Sequence, residues 1–298
     1  MKINTRNILT YIYANFLMMR GDVKKAIARL KNGQFILSIY FHDPSRPLFS
    51  KCMKWLNQQG IVFLDIDTVH EIALGNVPFP KGAVLLTVDD GWKSNKSNIV
   101  DVAYAHNIPV AIFITTEPVF AGNGYWWSYV KLANKSGYLS ITAEDVKHMD
   151  NKSRLDLLSK LKDKFCVGRE AMTVDEIQEA DDTGLVQIGS HTLSHPILSK
   201  CTDEEVHSEI YHSKKKLEEM LDHSIHSFAY PNGDHSEREV AMVEDAGYRL
   251  AFTTKPYYMT ADNIQQKYRL PRFEVLNDVS FAENICRMSG VWFKNKAN

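Results

Sequence analysis

Apolar runs that end in polar residues alternate along this chain with segments of helical periodicity. Runs rich in β-branched and aromatic residues, such as QFILSIYF and IPVAIFIT, are typical of strands that are buried on both faces. The predicted strands cover residues 34–41, 82–88, 108–115, 185–190, 226–230, 248–254 and 268–275, and a further short apolar run covers 61–66. Strands of this kind, separated by helices, indicate a parallel sheet of the α/β class.

The segments between these strands carry helix signals. Thr173 with Glu176, and Thr202 with Glu205, form the capping-box pattern that begins a helix. The predicted helices cover residues 49–60, 94–107, 153–165, 173–184, 202–222, 236–247 and 280–290. Residues 118–150 lack a clear period and are interpreted as an irregular insertion. Strand–helix alternation over about 250 residues favours a barrel.

Unusual polar groups follow several of the predicted strands. His42, the Asp89–Asp90 pair, His191 and the sequence PNGD each come directly after an apolar run. The carboxyl ends of barrel strands form one face, and that face carries the chemistry. We therefore expect these groups to meet although they are far apart in the sequence.

The first 33 residues are predicted to form an N-terminal helical segment ahead of a barrel domain over residues 34–298. The apolar stretch 8–19 is too short to span a bilayer. No small-x-small cleavage site follows it, as a signal peptide requires. The basic segment RGDVKKAIARLK comes next. These features favour an amphipathic helix that packs on the domain, with peripheral contact to a membrane surface as the alternative.

The charge balance argues against a nucleic-acid partner. Lys and Arg together number 35, and Asp and Glu number 36, without the basic excess of a nucleic-acid binder. The four cysteines lie far apart and form no C-x-x-C, which is typical of free thiols in a reducing compartment. We therefore expect a cytoplasmic location, with or without peripheral attachment to the membrane.

The sequence GSHTLSHP combines with LLTVDDG to suggest a metal site. His191 and His195 are four residues apart at a strand-to-loop break, and imidazole is a good ligand for zinc and similar metals. Two histidines at this spacing also occur by chance, and adjacent Asp and Gly also form ordinary turns. One carboxylate of the acidic pair would complete a three-ligand set. The other would then be free to act as a general base on water.

These two motifs resemble those of the polysaccharide deacetylases, the NodB-homology proteins of carbohydrate esterase family four. The usual first motif is T-F-D-D-G, with Val88 here in place of the aromatic residue, and HTLSHP matches the second motif fully. The likeness extends over about residues 34–276 and implies a distorted (β/α)7-type barrel of the NodB kind. It implies that Asp89 is the general base. It also implies that Asp90, His191 and His195 bind a divalent metal, with Zn²⁺ as first choice and Co²⁺, Ni²⁺ or Fe²⁺ as alternatives.

Later residues resemble the branch of this family that deacetylates biofilm and cell-surface glycans. SFAYPNG has Ala229 where the third family motif usually has arginine, and RLPRFEV supplies Arg272. The resemblance implies that Arg272 pairs with Asp89 and orients it, whereas a surface salt bridge is the alternative. It also places the oxyanion-binding backbone N–H near Asn232, with Tyr230 beside the substrate.

The sequence lacks the residue that usually serves as the general acid in this family. The family's C-terminal leucine–x–histidine motif is missing, since no histidine follows His235. In the similar branch the first strand commonly ends in MYH, and SIYFHDPS places His42 there. We interpret His42 as the acid that protonates the leaving amine, oriented by Asp43, or else as a structural histidine in a turn. Trp126 and Trp127 are interpreted as sugar-stacking residues at the cleft rim or as core residues of the insertion.

The motifs together predict a metal-dependent hydrolase that removes N-acetyl groups from hexosamine residues. The substrate would be a glycan or a lipid-linked glycan. An O-acetyl esterase, a hydrolase of non-sugar amides and an inactive carbohydrate-binding member of the fold are the alternatives. The intact DDG and HTLSHP sequences argue against the inactive member.

Overall fold

The computed structural model describes residues 5–293, so residues 1–4 and 294–298, the outer ends of the two predicted domains, lie outside the described residues. The helices are α1 Thr5–Met19, α2 Asp22–Lys31, α3 Arg46–Gln58, α4 Ile66–Leu74, α5 Asp101–His106, α6 Thr116–Ala121, α7 Trp126–Lys135, α8 Ala143–Lys147, α9 Asn151–Lys164, α10 Val174–Asp181, α11 Asp203–Leu221, α12 Glu237–Asp245 and α13 Phe281–Met288. The strands are β1 Leu37–Phe41, β2 Val62–Leu64, β3 Ala83–Val88, β4 Val110–Ile114, β5 Val186–Ser190, β6 Ser227–Ala229, β7 Leu250–Phe252 and β8 Phe273–Glu274.

The eight strands form one curled parallel sheet. Their order is β7-β6-β5-β4-β3-β1-β8, with β2 paired to β3. A parallel bridge between Phe252 and Leu270 brings β7 beside the segment that enters β8. The sheet therefore curls into a half-barrel surrounded by helices. Because all strands run in the same direction, their carboxyl ends lie together at one end of the molecule.

The alternation of strand side chains divides the core into two main clusters. Successive residues of a strand face opposite sides of the sheet. In β3, Leu86 and Val88 face outward and pack with the surrounding helices. Leu85 faces the inside of the curl and packs there with Phe113 and Phe252. The strands are consequently buried on both faces, as their continuous apolar runs predicted.

The predicted elements correspond closely to the observed ones, with shorter strands. Both predicted capping boxes are present, at the start of α10 and of α11. The strand predicted over 268–275 has only two paired residues in β8. Pro271 within that run lacks a backbone N–H, which explains part of the shortening.

The prediction of irregular structure over residues 118–150 was wrong, because this segment is largely helical. It contains the end of α6 and all of α7 and α8. Trp126, Tyr129, Val130 and Ala133 lie at helical spacing and pack into a separate apolar cluster with α9. Glycines on both sides of α7 interrupt the period, and this interruption concealed the helix in the sequence.

The N-terminal segment consists of two helices that pack against the barrel. Ala14 and Leu17 of α1, and Ile27 and Leu30 of α2, join the same apolar cluster as the helices around the sheet. Cys286 Sγ of α13 contacts the carbonyl oxygen of Ala14. Within residues 5–293, the structure contains no helix with the length and apolar character needed to cross a membrane.

Candidate active site

The carboxylate of Asp89 is buried at the carboxyl end of β3 and held by a bidentate ion pair. Arg272, which is fully buried, donates from Nη1 to Oδ1 at 2.7 Å and from Nη2 to Oδ2 at 2.8 Å. Arg272 also donates from Nε to the carbonyl oxygen of Thr253 and from Nη1 to Thr87 Oγ1. The guanidinium is therefore fixed by four hydrogen bonds, and the alternative of a surface salt bridge is excluded.

This ion pair determines the charge of Asp89. Burial alone would raise the pKa of the carboxyl group, but the Arg272 guanidinium and then His191 outweigh it and lower the pKa below its ordinary value. Asp89 is thus ionised at neutral pH, in the form that accepts a proton.

Asp90 points away from Asp89 because the chain turns sharply between them. Its backbone has a φ of 76°, in the left-handed region, and Gly91 follows with a φ of 79°. This φ strains any residue that has a Cβ, and a Cβ here would also lie 2.6 Å from Ile114 Cδ1, so glycine is favoured. Trp92 Nε1 donates to Asp90 Oδ2 at 2.9 Å. The other oxygen, Oδ1, is buried and has no hydrogen-bond partner among the described residues.

The two histidines of HTLSHP face this oxygen. Asp90 Oδ1 lies 3.6 Å from His191 Nε2 and 3.5 Å from His195 Nε2. Thr192, with a φ of 69°, and His195, with a φ of 54°, form the tight turn that brings both rings to one side. Thr192 Oγ1 accepts from the backbone N–H of His195 and closes that turn.

The donor set fits a divalent cation. One ligand atom from each of Asp90, His191 and His195 lies within 4.8 Å of the others. Nδ1 of His191 lies 2.7 Å from the carbonyl oxygen of Ala229, so it carries the proton and Nε2 presents its lone pair. Burial, reinforced by His191, holds the pKa of His195 well below its ordinary value. The His195 ring is then neutral, as a metal-ligating imidazole must be.

A cavity of about 250 Å³ opens above these groups at the carboxyl end of the sheet. His42, Asn232 and Thr254 line it from the barrel loops, and Trp127 lines it from α7. The insertion also contributes two cations to its wall, Lys131 and Lys147. Sequence reasoning missed both lysines, since their position depends on how α7 and α8 fold back over the barrel.

His42 lies at the cavity wall with its side chain 43% exposed. Its nearest acid is Glu274, whose Oε1 lies 4.0 Å from Nδ1. Asp43, expected from the sequence to orient His42, instead accepts a hydrogen bond from Ser94 Oγ. The pairing of β1 with β8 sets Tyr40 opposite Glu274, and this register brings Glu274 to the histidine.

Asn232 and Tyr230 occupy different environments. Asn232 has a φ of 55° and lines the cavity, and its side-chain Nδ2 is buried with no hydrogen-bond partner among the described residues. Tyr230 is fully buried in the core, and its hydroxyl donates to the carbonyl oxygen of Tyr268. The structure therefore does not bring the Tyr230 ring to the cavity, contrary to expectation, because this ring fills the space between β6 and the chain before β8.

The two adjacent tryptophans also differ. Trp126 is buried, packs within the insertion and donates from Nε1 to the carbonyl oxygen of His195. This geometry fits the core interpretation. Trp127 lines the cavity, stacks on Tyr125 with ring centroids 4.7 Å apart, and meets the His195 ring edge-on at 5.0 Å. Of the two, only Trp127 is placed where it could contact a sugar.

A buried carboxylate that holds the turn between His191 and His195 was not identified from the sequence. Glu209 of α11 accepts from the backbone N–H groups of Leu193 and Ser194 and from Ser194 Oγ. Arg154 of α9 donates to the same hydroxyl at 2.9 Å. The signal that could have revealed Glu209 is its place on the buried face of α11, between Val206 and Ile210, where a carboxylate needs partners.

Comparison with known proteins identifies the family. The family model for polysaccharide deacetylases matches residues 76–251. A protein of Bacillus subtilis (strain 168), YxkH, whose name assigns it to the polysaccharide deacetylases, is 31% identical over 227 residues. That alignment covers 76% of this chain, and the chain spans 63% of the length of YxkH. This chain therefore belongs to the polysaccharide deacetylase family.

Solved structures show the same fold. The Streptococcus pyogenes deacetylase PplD, solved in complex with acetate, aligns with a TM-score of 0.64 and 17% identity over 86% of this chain and 98% of its own. IcaB from Ammonifex degensii aligns with a TM-score of 0.63 and 18% identity over 86% of this chain and 97% of its own. The distorted (β/α)7-type barrel predicted from the sequence is confirmed.

Proposed function

We propose that this protein is a metal-dependent hydrolase that removes N-acetyl groups from hexosamine residues of a glycan or lipid-linked glycan. One observation carries the proposal. A buried, ionised Asp89 lies next to a three-ligand cluster of Asp90, His191 and His195, and all four line one cavity.

Asp90, His191 and His195 would hold the cation. When bound there, a divalent cation such as Zn²⁺ polarises the acetamide carbonyl and acidifies water. Co²⁺, Ni²⁺ and Fe²⁺ suit the same nitrogen and oxygen ligands.

The chain's own residues would move the protons. Asp89, oriented by Arg272, accepts the proton of the attacking water while the water oxygen bonds to the acetamide carbon. The carbon–nitrogen bond then breaks, and His42 donates a proton to the departing nitrogen. Acetate and a free amino sugar are the products.

Donors at Asn232, its backbone N–H or its unpartnered side-chain amide, would stabilise the negative charge on the carbonyl oxygen. Trp127 would stack on the sugar ring.

The decisive experiment measures metal content and acetate release together. We expect purified protein to retain a divalent cation and to release acetate from N-acetylglucosamine oligomers. An O-acetylated polysaccharide and a small non-sugar acetamide serve as comparison substrates. Faster release from the O-acetylated polysaccharide would indicate an esterase, and faster release from the small acetamide would indicate a non-sugar amidase. Metal binding without turnover on any acetylated substrate would indicate a carbohydrate-binding member.

A further inference from the structure

The outward face of α1 carries an apolar stripe. Seven of the sixteen exposed large apolar side chains among the described residues lie on this one helix. The stripe consists of Ile8 (47% exposed), Leu9 (62%), Ile12 (58%), Phe16 (53%) and Met19 (87%). Residues at this spacing share one helix face. The opposite face, with Ala14 and Leu17, packs on the barrel, so α1 is apolar on both sides.

Cations flank the stripe at both ends. Arg6, with 58% of its side chain exposed, lies near the first turn, and the Arg20 guanidinium lies over the Phe16 ring at 5.4 Å from its centroid. Residues 5–31 contain six basic residues and one acid. That acid, Asp22, is buried and accepts a hydrogen bond from Arg20 Nε. Arg6 Nη2 likewise lies 3.9 Å from Oε1 of the buried Glu283. The acidic partners of both arginines are therefore buried, and the exposed charged side chains of residues 5–31 are basic.

Aromatic residues border the same surface. Tyr13, 48% exposed, meets Trp292 edge-on with ring centroids 5.4 Å apart, and Tyr11 is equally exposed on the other flank. Tyr and Trp are enriched where proteins meet the headgroup region of a bilayer, because each has an apolar body and a polar end.

The start of α1 lies at the catalytic end of the barrel. Asn7 Nδ2 donates to the carbonyl oxygen of Asp278, in the loop after β8. The neighbouring Asn277 donates to the carbonyl oxygen of Asp43, which follows His42. Tyr11 lines a cavity of about 400 Å³ together with residues of the loop after β1. The apolar stripe thus begins beside the loops that form the catalytic mouth.

From these observations we propose that the outer face of α1 docks on an anionic lipid bilayer. The helix has 15 residues, about 22 Å in length, and a bilayer core is about 30 Å thick. It therefore lies along the surface, with the stripe among the acyl chains and the cations at the phosphates. A second copy of the chain is a poorer occupant, because two stripes packed in antiparallel orientation would set Arg6 of each copy against Arg20 of the other. Docking goes beyond the proposed function and does not depend on it.

Sedimentation with vesicles tests this surface in the absence of any substrate. We expect the full chain to bind vesicles that contain phosphatidylglycerol, and to bind pure phosphatidylcholine vesicles more weakly. Leu9→Glu with Phe16→Glu should lower binding at least about ten-fold, since charges replace buried apolar contact. Arg6→Gln and Arg20→Gln should each lower it about five-fold, the equivalent of ~1 kcal/mol per cation.

Tyr104→Ser is the matched control, because Tyr104 is a large side chain on α5 that is 65% exposed. It should bind vesicles like the unaltered protein. Circular dichroism of each variant verifies that the exposed substitutions leave the fold intact. Equal binding by the Leu9→Glu, Phe16→Glu variant would overturn the proposal, as would no binding by the unaltered chain. A dimer in lipid-free solution that this variant dissociates would also overturn it, because the face would then be a protein interface.

Discussion

At the scale of single residues, the adjacent carboxylates of Asp89 and Asp90 have different environments because each contacts different partners. Asp89 receives both arms of a buried guanidinium, and Asp90 presents an unpartnered oxygen to two imidazoles. The left-handed turn at Asp90 separates their directions. Because the two carboxylates have separate partners and point in different directions, substitutions at Asp89 and at Asp90 should impair the protein in different ways.

Asp89→Asn should remove activity and keep the cation. The amide cannot accept the proton of water, and loss of a general base typically lowers kcat by about 10²–10⁴-fold. Acetate release and metal content, measured on one preparation, check this result. Asp90→Asn is the matched variant, and it should lose the metal as well as activity. Loss of metal from both variants alike would contradict the separate roles.

Arg272→Met should destabilise the fold in a pH-dependent way. In the unaltered chain the lowered pKa of Asp89 adds stability above pH ~3.9, the ordinary Asp pKa, and this stability is lost as the pH falls through the folded-state pKa. Without Arg272, burial raises that pKa and the sign reverses. We expect a loss of about 3–5 kcal/mol in the free energy of unfolding at neutral pH, which shrinks in acid.

Urea denaturation in the presence of a chelator measures this difference across pH. Arg269→Met, three residues away in an ion pair with the exposed Glu237, is the control. It should change the free energy of unfolding by less than about 1 kcal/mol. A pH-independent loss for Arg272→Met would refute the charge argument.

His42→Ala should separate amide from ester hydrolysis. An amine leaves only after protonation, whereas an alkoxide depends less on a proton donor. We expect kcat/KM on N-acetylated oligomers to fall about 10²–10⁴-fold, with a smaller loss on an O-acetylated polysaccharide. His235→Ala, which alters a histidine that does not line the cavity, is the control. Near-normal amide hydrolysis by the His42 variant would exclude it as the general acid.

At the scale of elements, the sequence located the strands and most helices because their periodicity is strong. The residues directly after β1, β3 and β5 were therefore assigned to one face correctly, and Asp90, His191 and His195 do converge. The contribution of α7 and α8 to the cavity was not predictable, since it depends on how the insertion packs. Tyr230 was misplaced for a related reason: its motif gives its position along the chain but not the direction of its ring.

Glu209 links α11 to the turn between His191 and His195, two candidate metal ligands, and offers a test at this scale. Its carboxylate holds two backbone N–H groups between His191 and His195. Glu209→Ala should lower metal affinity about 10–100-fold, the usual effect of losing an outer-shell partner. Competition with a fluorescent metal indicator measures this affinity. Glu219→Ala, at an exposed position of the same helix, should leave it unchanged, and equal affinities in the two variants would exclude the positioning role.

At the scale of the whole molecule, the candidate metal site joins loops from distant parts of the chain. Cation binding there should therefore stabilise the entire fold. A ligand present at 1,000 times its Kd adds about 4 kcal/mol to the free energy of unfolding. Chelation should therefore lower the Tm of the unaltered protein, as scanning calorimetry measures. The Asp90→Asn variant should show little change on chelation. An equal shift in the Tm of both proteins would show that the chelator removes a cation from a different site.

The cytoplasmic location expected from the charge and cysteine pattern stays a prediction. The division into a helical segment before residue 34 and a barrel domain after it also stays one. The helices α1 and α2 share a core cluster with the barrel helices, so removing them would expose apolar surface on the barrel itself.

Four residues of the site, Asp90, Thr192, His195 and Asn232, account for four of the six non-glycine residues with positive φ in the described chain. Such conformations cost on the order of 1–3 kcal/mol each and persist only where the surroundings enforce them. A directed-evolution campaign that selects only for heat resistance, with a chelator present so that no cation stabilises the fold, should therefore drift toward glycine at these positions. Its most robust products would be catalytically silent, and a second selection for turnover would have to accompany the first.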